Sequence, residues 1–90
     1  MNYIYIIECK DGTLYTGWTV NIEKRLAKHN LGIGAKYTNA RFPVILRYLE
    51  EHASKQDAMK REWEIKKYKR TKKLELCNSW SQHRSKKAPV

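Results

Sequence analysis

The sequence predicts an α+β fold in which helices flank a three-stranded antiparallel sheet, in the chain order β-β-α-β-α-α. Two runs rich in β-branched and aromatic residues lie on either side of an Asp-Gly turn signal, and a third such run follows a proline. The segments between and after these runs place apolar residues at helical spacing. A chain of 90 residues with six Tyr and three Trp is expected to build one small, aromatic-rich core.

The predicted strands are Tyr3–Cys9, Leu14–Thr19 and Val44–Glu51. The loop between the first two strands decides which side chains share a face. A two-residue turn, Asp11-Gly12, would put Tyr5 and Tyr15 on opposite faces. A three-residue loop that also includes Lys10, with its glycine in the left-handed region, puts both tyrosines on one face and Gly17 opposite Tyr5. Tyrosines in strands most often serve packing, and that interpretation stands beside a functional one.

Cap residues and apolar spacing predict three helices. Asn21, with Glu23 in the following turn, is the expected start of the first helix. Ser54, with Asp57 three residues later, is the expected start of the second. The first predicted helix follows Asn21 and ends at about Asn30, and the second runs from Lys55 to about Tyr68. A short third helix is predicted from its cap Thr71 to Leu76.

The chain is strongly basic. Nineteen Lys and Arg against nine Asp and Glu give a net charge of +10. This charge favours a polyanionic partner, nucleic acid first and an anionic membrane surface or an acidic protein second. Residues 78–90 are polar and basic and lack an apolar pattern, so we predict a disordered tail behind a domain of residues 1–77.

The sequence disfavours a zinc protein and a membrane-spanning protein. Cys9 and Cys77 lie far apart and in no metal-binding pattern, so we expect free thiols in a reducing compartment. The longest apolar run, Tyr3–Ile7, is far too short to span a bilayer, and it is not preceded by a basic segment typical of a signal peptide. The protein is therefore predicted to be cytoplasmic.

Arg25 and His29 are four residues apart on the first predicted helix, so they project from the same side. They lie at the edge of the apolar stripe formed by Ile22 and Leu26. From there an arginine can reach over the sheet and grip a phosphate with its planar fork. The alternative is a solvated arginine and a surface histidine on an amphipathic helix. The pattern of this helix, taken by itself, favours that alternative.

Glu62 is the most informative single residue. Ala58, Glu62 and Ile65 fall at i, i+4 and i+7, so the carboxylate lies on the inward stripe, whereas Glu64 points away. Burying an unpaired carboxylate is costly, so Glu62 is expected either to pair with an arginine or to hold a divalent metal through oxygen. Trp63, on the adjoining stripe, is interpreted as a core residue.

Basic and aromatic residues alternate in the loop after the first helix and along the second helix, which indicates a nucleic-acid interface. The candidate residues are Lys36, Tyr37, Arg41, Lys66 and Lys67. Runs of lysine are also common on solvated helix faces, so this alternative stays open.

With these residues in place, the sequence resembles the GIY-YIG nuclease superfamily over roughly residues 2–76, in particular its small single-domain bacterial members. The resemblance rests on the triplets Tyr3-Ile4-Tyr5 and Tyr15-Thr16-Gly17, on Arg25 and His29, on the segment HNLGIGAKYT from His29 to Thr38, and on MKREWEIKK, which carries Glu62. Tyr3 stands where the first motif of the family has glycine.

The resemblance implies a phosphodiesterase fold and one divalent metal, Mg²⁺ or Mn²⁺, held by Glu62. It implies that Tyr5 activates a water as general base or relay and that Tyr15 positions the phosphate or the water. Arg25 would neutralise the charge that develops on the phosphate, and His29 would bind or relay a proton. Because free tyrosine has a pKa of about 10, we expect nearby cations to lower the pKa of a tyrosine base.

The sequence thus predicts a metal-dependent endonuclease that acts on DNA. No part of the chain suggests a recognition domain, so cleavage is expected to follow DNA structure rather than sequence, unless a partner protein supplies specificity. The alternative is a non-catalytic nucleic-acid-binding module that keeps the nuclease fold. A third hypothesis is a small basic protein whose tail binds an acidic partner. Of the three, only the nuclease needs an inward Glu62.

Overall fold

Six elements make up the fold in a computed structural model that describes residues 1–87, with side chains as far as Ser81. The strands are β1 Asn2–Glu8, β2 Leu14–Thr19 and β3 Ile45–His52, and the helices are α1 Ile22–Asn30, α2 Lys55–Lys66 and α3 Arg70–Lys87. The sheet order is β2-β1-β3, and both strand pairs are antiparallel. The predicted fold class and element order are confirmed.

The hairpin between β1 and β2 turns on the three-residue loop Lys10-Asp11-Gly12. Gly12 has a φ of +83°, in the left-handed region that glycine enters without steric cost. The resulting register places Tyr5 opposite Gly17. The predicted odd-length loop is confirmed, and Tyr5 and Tyr15 share one face of the sheet.

The sheet separates two cores, because successive residues of a strand point to opposite faces. On the face covered by α1, which we call the α1 face, the buried core residues are Tyr5, Ile7, Cys9 and Val44. On the face covered by α2 and α3, which we call the α2 face, they are Ile4, Ile6, Ala58, Ile65 and Cys77. Both cysteines are free thiols, as expected, and both are buried.

A cluster of polar side chains fixes α2 on the sheet. The Glu50 carboxylate of β3 accepts hydrogen bonds from the Tyr48 hydroxyl and from Arg61 Nε, the latter at 3.0 Å. Arg61 also donates to the Tyr68 hydroxyl at 3.2 Å. Burial and the adjacent Glu50 carboxylate raise the pKa of Tyr48 to about 12, so its hydroxyl remains a donor. These hydrogen bonds fix the rotation of α2 about its axis and therefore the direction in which the Glu62 side chain projects.

The last helix is longer than the sequence predicted. The prediction ended it near Leu76 and placed a disordered tail from Asn78, and this expectation is wrong as far as Lys87. Residues 88–90 lie outside the described residues. Leu76 and Cys77 pack into the core of the α2 face, and no glycine or proline follows within α3, so nothing stops the helix after this anchor.

Two smaller expectations about the helices are also wrong. Thr71 does not cap the last helix, since α3 already begins at Arg70. Trp63 is 61% exposed and is not a core residue, because the buried residues of α2 are Ala58 and Ile65 and Trp63 lies outside the stripe that they form. Within residues 1–87, no helix combines the length and the apolar content that crossing a bilayer requires.

Candidate active site

Tyr5 lies at the centre of the candidate site, and Gly17 makes room for it. The Tyr5 side chain is fully buried, and its ring lies across the neighbouring strand β2. A Cβ added to Gly17 would lie 2.4 Å from the Tyr5 hydroxyl oxygen and 2.5 Å from the ring carbon that bears it. Because β2 is an edge strand, the hydroxyl is held above the border of the sheet rather than above its middle.

Helix α1 brings a guanidinium and an imidazole to this hydroxyl. Asn21 caps the helix, and its side chain accepts from the backbone N–H of Lys24 at 3.0 Å. Arg25 Nε donates to Tyr5 Oη at 3.1 Å, and His29 Nε2 lies 2.9 Å from the same oxygen. His29 is fully buried, so the alternative of a surface histidine is ruled out.

Thr38, in the loop after α1, orients the His29 ring. Its Oγ1 lies 2.7 Å from His29 Nδ1 and donates its only proton to the carbonyl of Ala35 at 3.2 Å. We therefore assign the ring N–H to Nδ1, with Thr38 as its acceptor, which leaves Nε2 without a proton. Gly34 packs against the ring, since a Cβ there would lie 2.4 Å from Nδ1. We predicted no role for Thr38 or Gly34, and their place in the HNLGIGAKYT segment was the available signal.

The hydrogen bonds through Tyr5 run in one direction. Burial, and secondly the charge of Arg25, lower the pKa of His29 to about 4, so the ring is neutral at pH 7 and carries one N–H. Because Nε2 has no proton, the Tyr5 hydroxyl donates to it, while Arg25 donates to Tyr5. We call this series of hydrogen-bonded side chains, Arg25, Tyr5, His29 and Thr38, the proton chain. Within it, Tyr5 can pass its proton only to His29.

The surroundings of Tyr5 raise its pKa. Burial is the largest cause and outweighs the hydrogen bond and charge of Arg25, which lower the pKa, while Tyr15 and Glu62 raise it further. Arg25 thus lowers the pKa of Tyr5 as expected, but Arg25 alone, without the metal that was expected to act beside it, does not outweigh burial. Burial also lowers the pKa of Arg25, but Tyr5 and Tyr15 raise it overall, so the guanidinium stays charged. Tyr5 is consequently a neutral hydroxyl at pH 7.

Tyr15 and Tyr37 form an aromatic wall beside the proton chain. The Tyr15 ring meets the His29 ring edge-on, with centroids 5.6 Å apart, and lies 6.4 Å from the Tyr5 ring. Tyr37 stacks on Tyr15 with centroids 5.7 Å apart and planes 19° apart, and Arg41 lies 4.2 Å from the Tyr37 centroid. This wall buries the imidazole and so contributes to its low pKa.

Glu62 lies on the helix that packs on the other side of the sheet from the Tyr5 ring. Helix α2 packs on the α2 face, yet the negative charge of Glu62 raises the pKa of Tyr5, so the carboxylate is within electrostatic reach. Its side chain is 19% exposed, against 47% for Glu64, which confirms the predicted inward orientation. Within the described residues its ion-pair partner is Lys66, at 3.5 Å, and not an arginine.

Glu62 fits a divalent metal as a single protein ligand. Among the described residues, no cluster of three His, Cys, Asp or Glu side chains could hold a metal ion, so one carboxylate is what this site offers. Mg²⁺ suits such a site, because it keeps several waters and binds one or two carboxylates together with substrate phosphates. The long ion pair with the half-exposed Lys66 is weak and would compete little.

Most of the predicted nucleic-acid contacts already have partners within the chain. Lys36 is exposed in the loop after α1, but Arg41 forms an ion pair with the aspartate of the hairpin loop at 2.9 Å. At the end of α2, the cap residue Lys67 lies 3.4 Å from the ring centroid of Trp63, and Lys66 is the partner of Glu62. These side chains therefore contribute to the basic surface and also stabilise the loop after α1 and the end of α2.

Tyr3, at the position of the motif glycine, lies outside the proton chain. It lines a separate hollow of about 320 Å³ at the start of α1, together with Asn21, Ile22 and Glu23. The proton chain is therefore complete with a tyrosine at this position.

Replacing Thr38 by valine is expected to move the His29 proton from Nδ1 to Nε2. Valine keeps the shape but removes the acceptor, and a buried N–H without a partner costs about 1–3 kcal/mol. Nitrogen-15 NMR of the ring distinguishes the two tautomers. Thr38→Ser retains Oγ and is expected to keep the wild-type spectrum, and an unchanged tautomer in Thr38→Val would contradict the assigned hydrogen-bond direction.

Comparison with known proteins places the chain in a family. The GIY-YIG catalytic domain matches residues 1–75, a range that includes every residue of the proton chain and Glu62. A UPF0213 protein of Clostridium perfringens is 56% identical over 81 residues, which are 90% of this chain and 87% of that protein.

Two solution NMR structures are similar in fold and sequence. The UPF0213 protein BH0048 of Bacillus halodurans is 47% identical with a TM-score of 0.56, and the match covers 87% of this chain and 84% of that chain. The protein EF2693 of E. faecalis is 36% identical with a TM-score of 0.61, over 90% of this chain and 86% of that chain. The resemblance carried by the two triplets is thereby confirmed, and the chain belongs to the GIY-YIG catalytic domain family.

Proposed function

We propose that the protein is a divalent-metal-dependent endonuclease that hydrolyses phosphodiester bonds in DNA. The proton chain carries this proposal, because it holds the Tyr5 hydroxyl between a guanidinium and a proton acceptor at the edge of the sheet. A buried tyrosine that served packing alone would need one hydrogen-bond partner for its hydroxyl, whereas Tyr5 lies between a cationic donor and an imidazole. Membership of a catalytic domain family supports the same conclusion.

In the proposed reaction, Tyr5 relays the proton of the attacking water. As the water oxygen bonds to phosphorus, its proton passes to Tyr5 Oη while Tyr5 passes its own proton to His29 Nε2. Neither side chain has to ionise beforehand, which agrees with the raised pKa of Tyr5 and the neutral His29. The bond from phosphorus to the leaving oxygen breaks in the same displacement, and that oxygen takes up a proton from solvent.

The remaining residues act on the charge and position of the phosphate. Arg25 is held in place by its bond to Tyr5 and stabilises the negative charge that develops on the phosphate oxygens. Glu62 would hold Mg²⁺ or Mn²⁺, whose chemistry is to neutralise phosphate charge and polarise its oxygens. Tyr15 lies against the Tyr5 and His29 rings and positions the phosphate or the water.

The substrate is DNA, recognised by its shape rather than by its sequence. The net charge of +10 favours contacts with phosphates, which carry no sequence information. Residues 1–87 form one sheet with its helices, so sequence specificity would come from a partner protein. We place the activity in the cytoplasm, in keeping with two free, buried thiols.

A non-catalytic nucleic-acid-binding module is the second candidate. The observation that favours it is that Tyr5 and His29 are both neutral at pH 7, so neither is a strong base on its own. Such a module would use the basic surface but would have no use for the inward carboxylate of Glu62.

A cleavage assay separates the two candidates. Nicked, branched and single-stranded DNA are incubated with the protein in Mg²⁺, in Mn²⁺ or in EDTA. We expect metal-dependent cleavage of nicked or branched DNA by the wild type and none by Glu62→Ala. Equal cleavage by Glu62→Ala would indicate a contaminating nuclease, and binding without cleavage in every condition would establish the binding module.

A further inference from the structure

A groove of about 340 Å³ lies between the end of β2 and one side of α1. Its lining includes Trp18, Lys24, Arg25 and Lys28. Arg25 is the residue whose Nε donates to the Tyr5 hydroxyl, so the groove adjoins the proton chain. A volume of this size is at the lower end of natural ligand pockets.

The groove is positively charged and its lysines are free to bind a ligand. Lys24 and Lys28 are exposed, and neither forms an ion pair with an acid in the described part of the chain. They are one helical turn apart, so their side chains are neighbours on the α1 surface. Lys55 lies outside the groove, because it contacts the Trp18 ring on the α2 face of the sheet, with Nζ 4.9 Å from the ring centroid. The acid of α1, Glu23, lines a different hollow.

The loop after α1 offers less to a nucleic acid than this groove does. Arg41 is held by the hairpin loop at 2.9 Å and lies over the Tyr37 ring, which in turn stacks on Tyr15. A ligand would have to break these contacts before it could use either side chain. Lys24 and Lys28 have no such contacts to lose, and they lie beside Arg25.

We propose that this groove binds the nucleic-acid strand on one side of the cleaved phosphodiester, with Lys24 and Lys28 on successive phosphates. The proposal rests on the proposed function, since it extends the phosphate path outward from Arg25. Successive phosphates of one strand lie about 3.4 Å apart along the duplex axis, a spacing that two long side chains one helical turn apart can follow.

The test compares two double variants with the same loss of charge. Fluorescence anisotropy measures binding of a labelled single strand, and of its duplex, to wild type, Lys24→Gln/Lys28→Gln and Lys36→Gln/Lys67→Gln, all in EDTA so that nothing is cleaved. For the groove variant we expect affinity at low salt to fall at least about tenfold. Its slope of log K against log salt concentration should shrink by about 1.4 on the single strand, at roughly 0.7 per phosphate. The Lys36 and Lys67 variant is expected to change less in both respects.

Equal losses in the two variants, or a larger loss in the Lys36 and Lys67 variant, would overturn the groove proposal. The experiment also separates this proposal from the proposed function. If the wild type cleaves DNA and the groove variant binds and cleaves as well as the wild type, the groove proposal alone is wrong. If the wild type does not cleave DNA and the groove variant still loses binding, the groove proposal is supported and the proposed nuclease activity is wrong.

Discussion

Tyr5→Phe is expected to lower metal-dependent DNA cleavage by at least about a hundredfold, the usual contribution of a positioned proton-transfer group. Phenylalanine fills the same space above Gly17 but removes the hydroxyl that Arg25 and His29 share. The relay then has no atom to accept the proton of the water. Single-turnover cleavage of the best substrate, at saturating Mg²⁺, measures the effect.

The control for this substitution is Tyr3→Phe. Tyr3 lies on the same strand and the same face as Tyr5 but lines a hollow outside the proton chain. We expect its hydroxyl to be dispensable for cleavage. Tyr5→Phe also leaves the buried Nε2 of His29 without a donor, so the free energy of unfolding should fall by about 1–3 kcal/mol. Undiminished cleavage by Tyr5→Phe would remove the relay from the mechanism.

Glu62→Gln is expected to abolish the metal-dependent reaction, with a loss of roughly a thousandfold, because the metal supplies several kcal/mol of stabilisation to the transition state. Glutamine keeps the size of the side chain and removes the charge that attracts the cation. The fold should tolerate the change, since the Lys66 ion pair that it removes is long and half-exposed. Calorimetric titration with Mg²⁺ or Mn²⁺, together with the cleavage rate, measures the loss.

Glu64→Gln is the matched control for Glu62. The two residues lie two positions apart on α2 and differ in orientation, since the Glu64 side chain is 47% exposed and contacts Arg61 at 3.4 Å. We expect metal binding and cleavage to be unchanged in Glu64→Gln. Loss of metal binding in both variants would mean that α2 attracts the cation through general charge and not through a site at Glu62.

Strand geometry made part of the candidate site predictable. The side-chain period of two and the odd hairpin loop together require Tyr5, Tyr15 and Gly17 to share a face, and the structure has this register. The spacing of Arg25 and His29 on a helix likewise places both on one side, although it does not reveal that His29 is fully buried. Burial depends on the loop that folds over the helix, and periodicity carries no information about that loop.

The features that the sequence did not predict depend on contacts between distant segments. Thr38 meets His29 because a loop folds back on α1, and no spacing rule links the two residues. The pKa of Tyr5 is raised because burial outweighs Arg25, a balance of two large effects that a motif cannot express. The inward stripe of α2 was predicted correctly at Glu62, but not that this helix packs on the opposite face of the sheet from Tyr5.

We propose that Glu62, from the α2 face, and the proton chain, from the α1 face, form one site at the β2 edge of the sheet. Binding of paramagnetic Mn²⁺ tests it directly, because the ion broadens NMR signals of nearby nuclei. In proton–nitrogen spectra we expect early broadening of the Gly17 amide and the Arg25 Nε–H, and none in Glu62→Gln. Broadening confined to the outer surface of α2, around Trp63 and Lys67, would contradict the claim.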